Sequence, residues 1–181
     1  MQGKNIWWIV GLLLVGTVLV GLIWYEPFTQ TQETEVPTSV DITTQGALTL
    51  EAPTDTLTVG DTYTLKLRVQ ADVPVNTYSA AVTFPNDLLE VVGTDDTNSV
   101  VDLWVEEPQA SNESGTVTLA GGSLLPDGFT GEDNLLTITI EAIAAGVAEI
   151  RITDGALFAH DGAGTAVTLA PFSSVRLFIN D

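Results

Sequence analysis

The chain has 181 residues, no cysteine, and a formal net charge of −19 from 24 acidic and 5 basic side chains. The absence of cysteine excludes a disulfide framework and any metal site built from thiolates. So large a negative charge argues against nucleic acid and anionic lipid headgroups as partners, because both are themselves negatively charged.

The first element is an apolar run over residues 6–25 that contains no charged side chain. It is long enough for a helix to cross roughly 30 Å of hydrocarbon, and aromatic rings stand at both ends, as at membrane interfaces. Lys4 lies on the short amino-terminal side. We therefore predict a single-pass transmembrane helix with a cytoplasmic amino terminus and an extracytoplasmic, cell-surface domain. A cleaved signal peptide is the alternative, although no small-residue cleavage site follows the run.

Residues 26–45 are rich in Thr, Gln, Glu and Pro and poor in large apolar side chains. Such a segment cannot bury enough apolar surface to offset the entropy lost when its chain is ordered. Its composition predicts a flexible linker between the membrane segment, residues 1–25, and a single domain formed by residues 46–181.

Alternating apolar and polar residues dominate that domain, and a two-residue period predicts β-strands. The alternation covers residues 48–51, 62–71, 78–84, 116–119, 136–142, 148–152 and 174–179, with shorter candidates at 88–92, 102–106, 156–159 and 165–170. Turn signals such as Asp154-Gly155 separate these segments. About nine or more strands, each with one apolar face, predict an all-β fold, an antiparallel, jelly-roll-like β-sandwich.

Four stretches of the domain carry a family resemblance. They are Val59-Gly60-Asp61 before 62–71, residues 78–92 with Pro85-Asn86-Asp87 inside them, residues 115–122 leading to 135–142, and Ala145-Gly146 before 150–155. In order and spacing they resemble the cohesin domain, within the group of cohesin and cellulose-binding β-sandwiches. Residues 84–87 depart from the pattern, because the family usually has an aromatic residue followed directly by Asp.

The resemblance implies a module that holds another protein non-covalently through one sheet face and the adjoining loops. The partner that it implies is a dockerin, a small helical module with calcium-binding loops. Among the polar residues of the predicted strands, Lys66, Arg68 and Glu141 suit a hydrogen-bonded interface. Two other functions remain open: a carbohydrate-binding module that attaches the envelope to polysaccharide, and a structural spacer of a surface layer.

Residues suited to catalysis are few. The single histidine, His160, falls in a predicted turn, and the sequence has no G-x-S-x-G nucleophile motif. A Ser-His-Asp arrangement would need a positioned serine. We therefore predict that the protein is not an enzyme.

Calcium is the one candidate ion. Asp127, Glu132, Asp133 and Asn134 crowd one acidic stretch, and their oxygen atoms are the ligands that calcium takes in proteins. Their spacing does not match the EF-hand pattern. We predict no bound cofactor and keep calcium as the alternative.

Three aromatic side chains are candidates for contact with a partner: Trp104, Phe129 and Phe178. A sugar-binding surface needs exposed rings in a row, and the domain has a single tryptophan. Trp104 is predicted to cover part of the core, because large rings stabilise a fold through buried area. Phe129 and Phe178 are predicted to be apolar anchors of an interface. This distribution favours a protein partner over a polysaccharide.

Overall fold

The computed structural model describes residues 43–181, which form nine strands and no helix. The strands are β1 (Gly46–Glu51), β2 (Thr56–Thr58), β3 (Thr62–Thr83), β4 (Leu89–Asp95), β5 (Leu103–Ser111), β6 (Thr116–Gly122), β7 (Phe129–Ala142), β8 (Gly146–Ala159) and β9 (Ser174–Asn180). The prediction of an all-β domain is confirmed.

The predicted transmembrane helix at residues 6–25 lies outside the described residues, as does most of the predicted linker. Within residues 43–181, no helix has the length and apolar character needed to cross a membrane. The membrane segment therefore stays a prediction.

The alternating sequence of β3 matches its burial. Leu65, Leu67 and Val69 are buried, whereas the alternating residues Thr64 and Lys66 face solvent. Burying one such apolar side chain contributes about 1.5–3 kcal/mol relative to leaving it exposed. The apolar face of β3 thus supplies a large part of the free energy that holds the domain together.

Strand β3 is 22 residues long and belongs to two sheets. Its first part pairs with β1 and β7, and its second part pairs with β6 and β8. The register shifts between Ala71 and Val75, where the strand passes from one sheet to the other. The first sheet has the strand order β1-β3-β7-β4, and the second has the order β2-β9-β8-β3-β6-β5.

The two sheets pack face to face around one apolar core. Leu48 of β1 reaches across to Gly155 of β8, where its Cδ1 occupies the space that a Cβ on the glycine would need. Tyr78, Leu136 and Leu157 are fully buried in the same core. This packing corresponds to the β-sandwich that the alternating sequence predicts.

Strand β2 has no counterpart among the predicted strands. It contains three residues, of which only Leu57 is buried, so it is too short to show a period. It pairs in parallel with β9, whereas every other pair of described strands is antiparallel. The prediction of an antiparallel sandwich is therefore correct except at this edge.

The predicted turn at Asp154-Gly155 lies instead within β8, so that prediction was wrong. Ala81 pairs with Asp154 and Val82 pairs with Ile152, which leaves Thr153 as an extra residue. An extra residue on one strand is a β-bulge. Bulges and turns favour the same residue types, which is why the local sequence did not distinguish them.

Residues 165–170 form a link between the sheets rather than the predicted strand. The N–H of Val167 donates to the carbonyl of Leu157 in β8 at 2.9 Å, and the N–H of Ala170 donates to the carbonyl of Gly46 in β1 at 2.8 Å. Because its partners change from one sheet to the other, the link forms only isolated bridges. It closes one edge of the sandwich.

Candidate protein-binding surface

Long charged side chains cover the outer face of the first sheet. Arg68 forms ion pairs with Glu51, with 3.4 Å between Nη1 and Oε2, and with Glu132, with 3.1 Å between Nε and Oε1. Lys66 and Glu141 lie on the same face. The polar residues that the sequence singled out thus share one surface. Ordering each of these long side chains against a partner would cost about 0.5–1.5 kcal/mol. The outer face of the first sheet is therefore less suitable for binding a partner than the outer face of the second sheet.

Small and uncharged side chains form the outer sides of β3 and β6 in the second sheet. The register places Ser79 of β3 between Ala120 of β6 and Ala156 of β8, and Ala81 of β3 between Thr118 of β6 and the exposed Asp154 of β8. The same surface continues through Thr77, Thr83, Thr116 and Gly122. Short side chains lose little rotamer freedom when a partner covers them. We call this surface the small-residue face.

An exposed apolar corner borders the small-residue face at the edge strand β5. Leu103 pairs with Gly122, and Val105, which is 84% exposed, follows in a bulge. Leu124 belongs to the loop after β6, and its N–H donates to Oδ2 of Asp102 at 2.8 Å. That bond holds the loop beside the start of β5. Leu103, Val105 and Leu124 together form what we call the apolar corner.

Trp104 does not belong to that corner. Its side chain is partly buried and packs against the core. The ring atom Cε3 lies over Gly121, only 3.0 Å from the position that a Cβ on this glycine would take. A ring in this position covers the edge of the core, as the sequence analysis predicts.

The two predicted phenylalanine anchors have different environments. Phe129 begins β7, pairs with Val75 and is 9% exposed as part of the core. The prediction of Phe129 as an exposed apolar anchor is therefore wrong, because the strand starts at this residue and its ring is buried. Phe178 is 46% exposed on the outer side of β9, opposite Val147 of β8.

The four calcium candidates do not converge. Glu132, Asp133 and Asn134 are consecutive residues of β7, so their side chains point alternately to opposite sides. Glu132 is held by Arg68, and Oδ1 of Asp133 accepts the N–H of Asn134 at 2.8 Å. Asp127 precedes the strand. Nowhere in residues 43–181 do three acidic, histidine or cysteine side chains gather closely enough to hold a metal ion.

His160 has a structural contact. Its Nδ1 lies 2.9 Å from Nδ2 of Asn76, which donates to the ring. The ring also lies against Gly128, where an added Cβ would come within 2.8 Å of the histidine Cβ. These contacts join the turn after β8 to strand β3 and to the loop before β7, and they do not activate a nucleophile. The absence of catalysis stays a prediction.

Asp161 organises the turn that follows. Its carboxylate accepts hydrogen bonds from the hydroxyl of Thr165 and, at 2.9 Å each, from the N–H groups of Ala163 and Gly164. These bonds, above all the one from the Thr165 hydroxyl, lower the pKa of Asp161 to about 2. The carboxylate of Asp161 therefore has a structural role, because its hydrogen bonds stabilise the turn that contains it.

An apolar groove of about 470 Å³ continues the small-residue face beyond β8. It lies between β8 and the link, and its lining includes Ala156, Leu169 and Phe172. Ala156 belongs to both surfaces. The groove therefore adds a concave apolar area to a face that is otherwise flat.

Comparison with known proteins places this architecture among cohesin modules. A cohesin module from a family 33 glycoside hydrolase of Clostridium perfringens is 16% identical, with a TM-score of 0.62 over 76% of this chain and 98% of that one. A non-cellulosomal cohesin from the archaeon Archaeoglobus fulgidus is 12% identical, with a TM-score of 0.60 over 76% and 92%.

A type I cohesin–dockerin complex from Clostridium thermocellum contains a chain that is 9% identical, with a TM-score of 0.59 over 75% of this chain and 95% of that one. No family model and no curated protein matches the sequence. At these identities the likeness establishes the fold, which is a cohesin fold, as the resemblance in the sequence implied.

Proposed function

We propose that residues 43–181 form a non-covalent protein-binding module whose partner is a protein of the dockerin type. The observation that carries this proposal is the likeness of the whole domain to cohesin modules, one of which was solved in a cohesin–dockerin complex. The likeness covers nearly the full length of those modules, so it does not rest on a shared fragment.

The docking surface in this proposal is the small-residue face. Its central residues Ser79, Ala81 and Ala120 carry no charge and have short side chains, so covering them costs little desolvation or entropy. The apolar corner at its border supplies exposed area that a partner can bury. On the opposite face, Arg68 would have to exchange its existing ion pairs for new ones.

The position of the module at the cell surface belongs to the same proposal. The apolar run at residues 6–25 would anchor the chain, and residues 26–45 would separate the domain from the membrane. The domain would then lie outside the cell, where it could meet a secreted partner.

Binding assays on paired variants test this proposal. A panel of dockerins and, in parallel, cellulose, chitin and cell-wall glycans would be titrated against the wild type, Ala120→Asp and Thr64→Asp. Ala120→Asp adds a charge at the centre of the small-residue face, and Thr64→Asp adds one to the outer face of the first sheet. We expect a dockerin to bind, Ala120→Asp to weaken its binding at least tenfold, and Thr64→Asp to change it less than twofold.

Two results would contradict the proposal. Equal loss of dockerin binding in both variants would show that the small-residue face is not the site. Retention on a glycan that Trp104→Ala abolishes, with no dockerin bound, would establish a carbohydrate-binding module instead.

A further inference from the structure

The apolar groove beside β8 lies where one edge of this strand has no neighbouring strand. Strand β9 pairs with that edge up to Arg151, and the link takes it over at Leu157, whose carbonyl accepts the N–H of Val167 at 2.9 Å. Between Arg151 and Leu157, no described strand pairs with this edge. The groove of about 470 Å³, which has Gly155 in its lining, therefore contains an open strand edge.

The backbone of Gly155 faces the groove. Along a strand, the N–H and carbonyl groups of successive residues point alternately to its two edges. The carbonyl of Leu157 points to the link, so the groups of Gly155, two residues earlier, point to the same side. The N–H of Gly155 donates to Oδ1 of Asp154 at 2.9 Å, and no described residue donates to the carbonyl of Gly155. The carboxylate of Asp154 therefore lies at the rim of the groove.

The polar groups at the groove can only accept hydrogen bonds. Asp154 is exposed and forms no ion pair within the described residues, and its second oxygen, Oδ2, has no hydrogen-bond partner there. The carbonyl of Gly155 is also an acceptor. None of the side chains that line the groove carries a positive charge or a hydrogen-bond donor. The groove therefore suits a group that is positively charged and donates hydrogen bonds.

The walls of the groove are apolar. Leu157, Val167 and Leu169 line it together with Phe172, whose ring is part of a residue that is 37% exposed. Cε1 of Phe172 lies 3.6 Å from the position that a Cβ on Gly155 would take, so the ring and the carboxylate of Asp154 are both next to this glycine. Apolar walls suit the methylene groups of a long basic side chain, and an exposed ring suits its cationic end.

We propose that the groove binds an arginine side chain that a protein partner presents. The methylene groups of the arginine would lie along Leu157 and Leu169, and its guanidinium would donate to Oδ2 of Asp154 and to the carbonyl of Gly155 beside the ring of Phe172. Arginine fits better than lysine, because a guanidinium is planar, offers several donors in a fixed arrangement, stacks on aromatic rings and is more weakly hydrated than an ammonium group.

This inference deepens the proposed function and rests on it for the nature of the partner. Ala156 belongs both to the small-residue face and to the groove, so a protein docked on that face can extend one side chain into the groove. The arginine would then select among partners, because a partner without it would leave the carboxylate of Asp154 without a cation. The site itself can be tested with a peptide and without a dockerin.

Methyl NMR of the full-length protein in a non-ionic detergent tests the site. The probe is the capped peptide acetyl-Gly-Arg-Gly-amide, and its control is the same peptide with citrulline, in which an uncharged urea group replaces the guanidinium. We expect the arginine peptide to shift the methyl signals of Val167 and Leu169 in a saturable way. The citrulline peptide should bind at least five times more weakly, because it has no charge to pair with Asp154.

Variants of the protein give the second readout. Asp154→Asn removes the charge but keeps an oxygen that can accept the N–H of Gly155, and we expect it to weaken the arginine peptide at least fivefold. Phe172→Leu removes the ring and should weaken it at least twofold. Asp96→Asn, which removes an exposed carboxylate outside the groove, is the matched control and should leave the binding unchanged.

Three results would overturn the inference: no shift at Val167 and Leu169, equal binding of the two peptides, or an equal effect of Asp154→Asn and Asp96→Asn. The last result would show a general attraction to the negative chain rather than a site. Any of them, together with dockerin binding that Ala120→Asp weakens, would leave the proposed function standing. A positive titration in which no dockerin binds would contradict the proposed function and keep the arginine site.

Discussion

The side-chain amide of Asn112 forms two hydrogen bonds with the backbone of Val91. The N–H of Val91 donates to Oδ1 of Asn112 at 2.8 Å, and Nδ2 of Asn112 donates to the carbonyl of Val91 at 3.0 Å. Asn112 lies in the turn between β5 and β6 of the second sheet, and Val91 lies in β4, the edge strand of the first sheet. One amide thus continues the hydrogen bonding of an edge strand and joins the two sheets where they have no strand in common.

Replacing the side-chain amide of Asn112 should destabilise the domain at the edge strand β4. We expect Asn112→Ala to lower the free energy of unfolding by about 1–3 kcal/mol, because two partly buried hydrogen bonds are lost. Asn112→Asp should cost at least as much, since the new carboxylate faces the carbonyl of Val91 and a carboxylate oxygen of Glu90. Urea unfolding at pH 7 measures both effects. Asn98→Ala, in an exposed turn, is the control and should change stability by less than about 0.5 kcal/mol.

The domain should fold without the amino-terminal segment. We expect residues 43–181, expressed alone, to be soluble and to give a circular dichroism spectrum of β-structure. Leu67→Asp or Ile138→Asp should unfold it, because both side chains are buried and a carboxylate there would be an unpaired charge between the sheets. Thr64→Asp, on the outside of the same strand as Leu67, should melt close to the wild type. A normal melting temperature for Leu67→Asp would contradict the assigned inner face.

The contact between Leu48 and Gly155 should appear as coupling between two substitutions. Gly155→Ala adds a Cβ in the space that Leu48 occupies, so we expect a loss of about 1–3 kcal/mol from overpacking. In a Leu48→Ala background the same change should cost much less, because the space is then free. Gly93→Ala, where an added Cβ meets nothing within 4 Å, is the matched control. Equal costs in both backgrounds would show that the two residues do not compete for space.

Acid should weaken the turn that Asp161 holds. The pKa of this carboxyl is lowered to about 2 in the folded chain, so its stabilising contribution is complete above the unfolded pKa near 4 and disappears as the pH falls through about 2. The wild type should therefore melt above Asp161→Asn at pH 7, and the gap should shrink between pH 4 and pH 2. Thr165→Val removes the main cause of the lowered pKa and should show a smaller pH dependence. A gap that stays constant down to pH 2 would contradict this assignment.

The amino-terminal prediction can be checked on the native protein. If residues 6–25 span the membrane and remain attached, intact mass spectrometry should find the full amino terminus, and the protein should stay in the membrane fraction after a high-salt wash. A mature chain that begins near Glu26 would establish a cleaved signal peptide instead.

The local pattern of residues determined the strands and the class of fold. Residues 62–71 and 136–142 alternate because each strand has one face in the core, and this period needs no knowledge of the partner strand. The same patterns carried the resemblance to cohesins that the architecture then matched. The exposure of Phe178 also follows from the local pattern, because it alternates with buried Leu177 and Ile179.

Only the tertiary structure decided which residues share a surface. Ser79, Ala120 and Ala156 are far apart in the chain and meet through the register of β3 with β6 and β8. The physical reason is that alternation tells which side of a strand faces the core, whereas the order and register of strands depend on packing between distant segments. Phe129 shows the same limit, because its burial depends on Val75 in another strand.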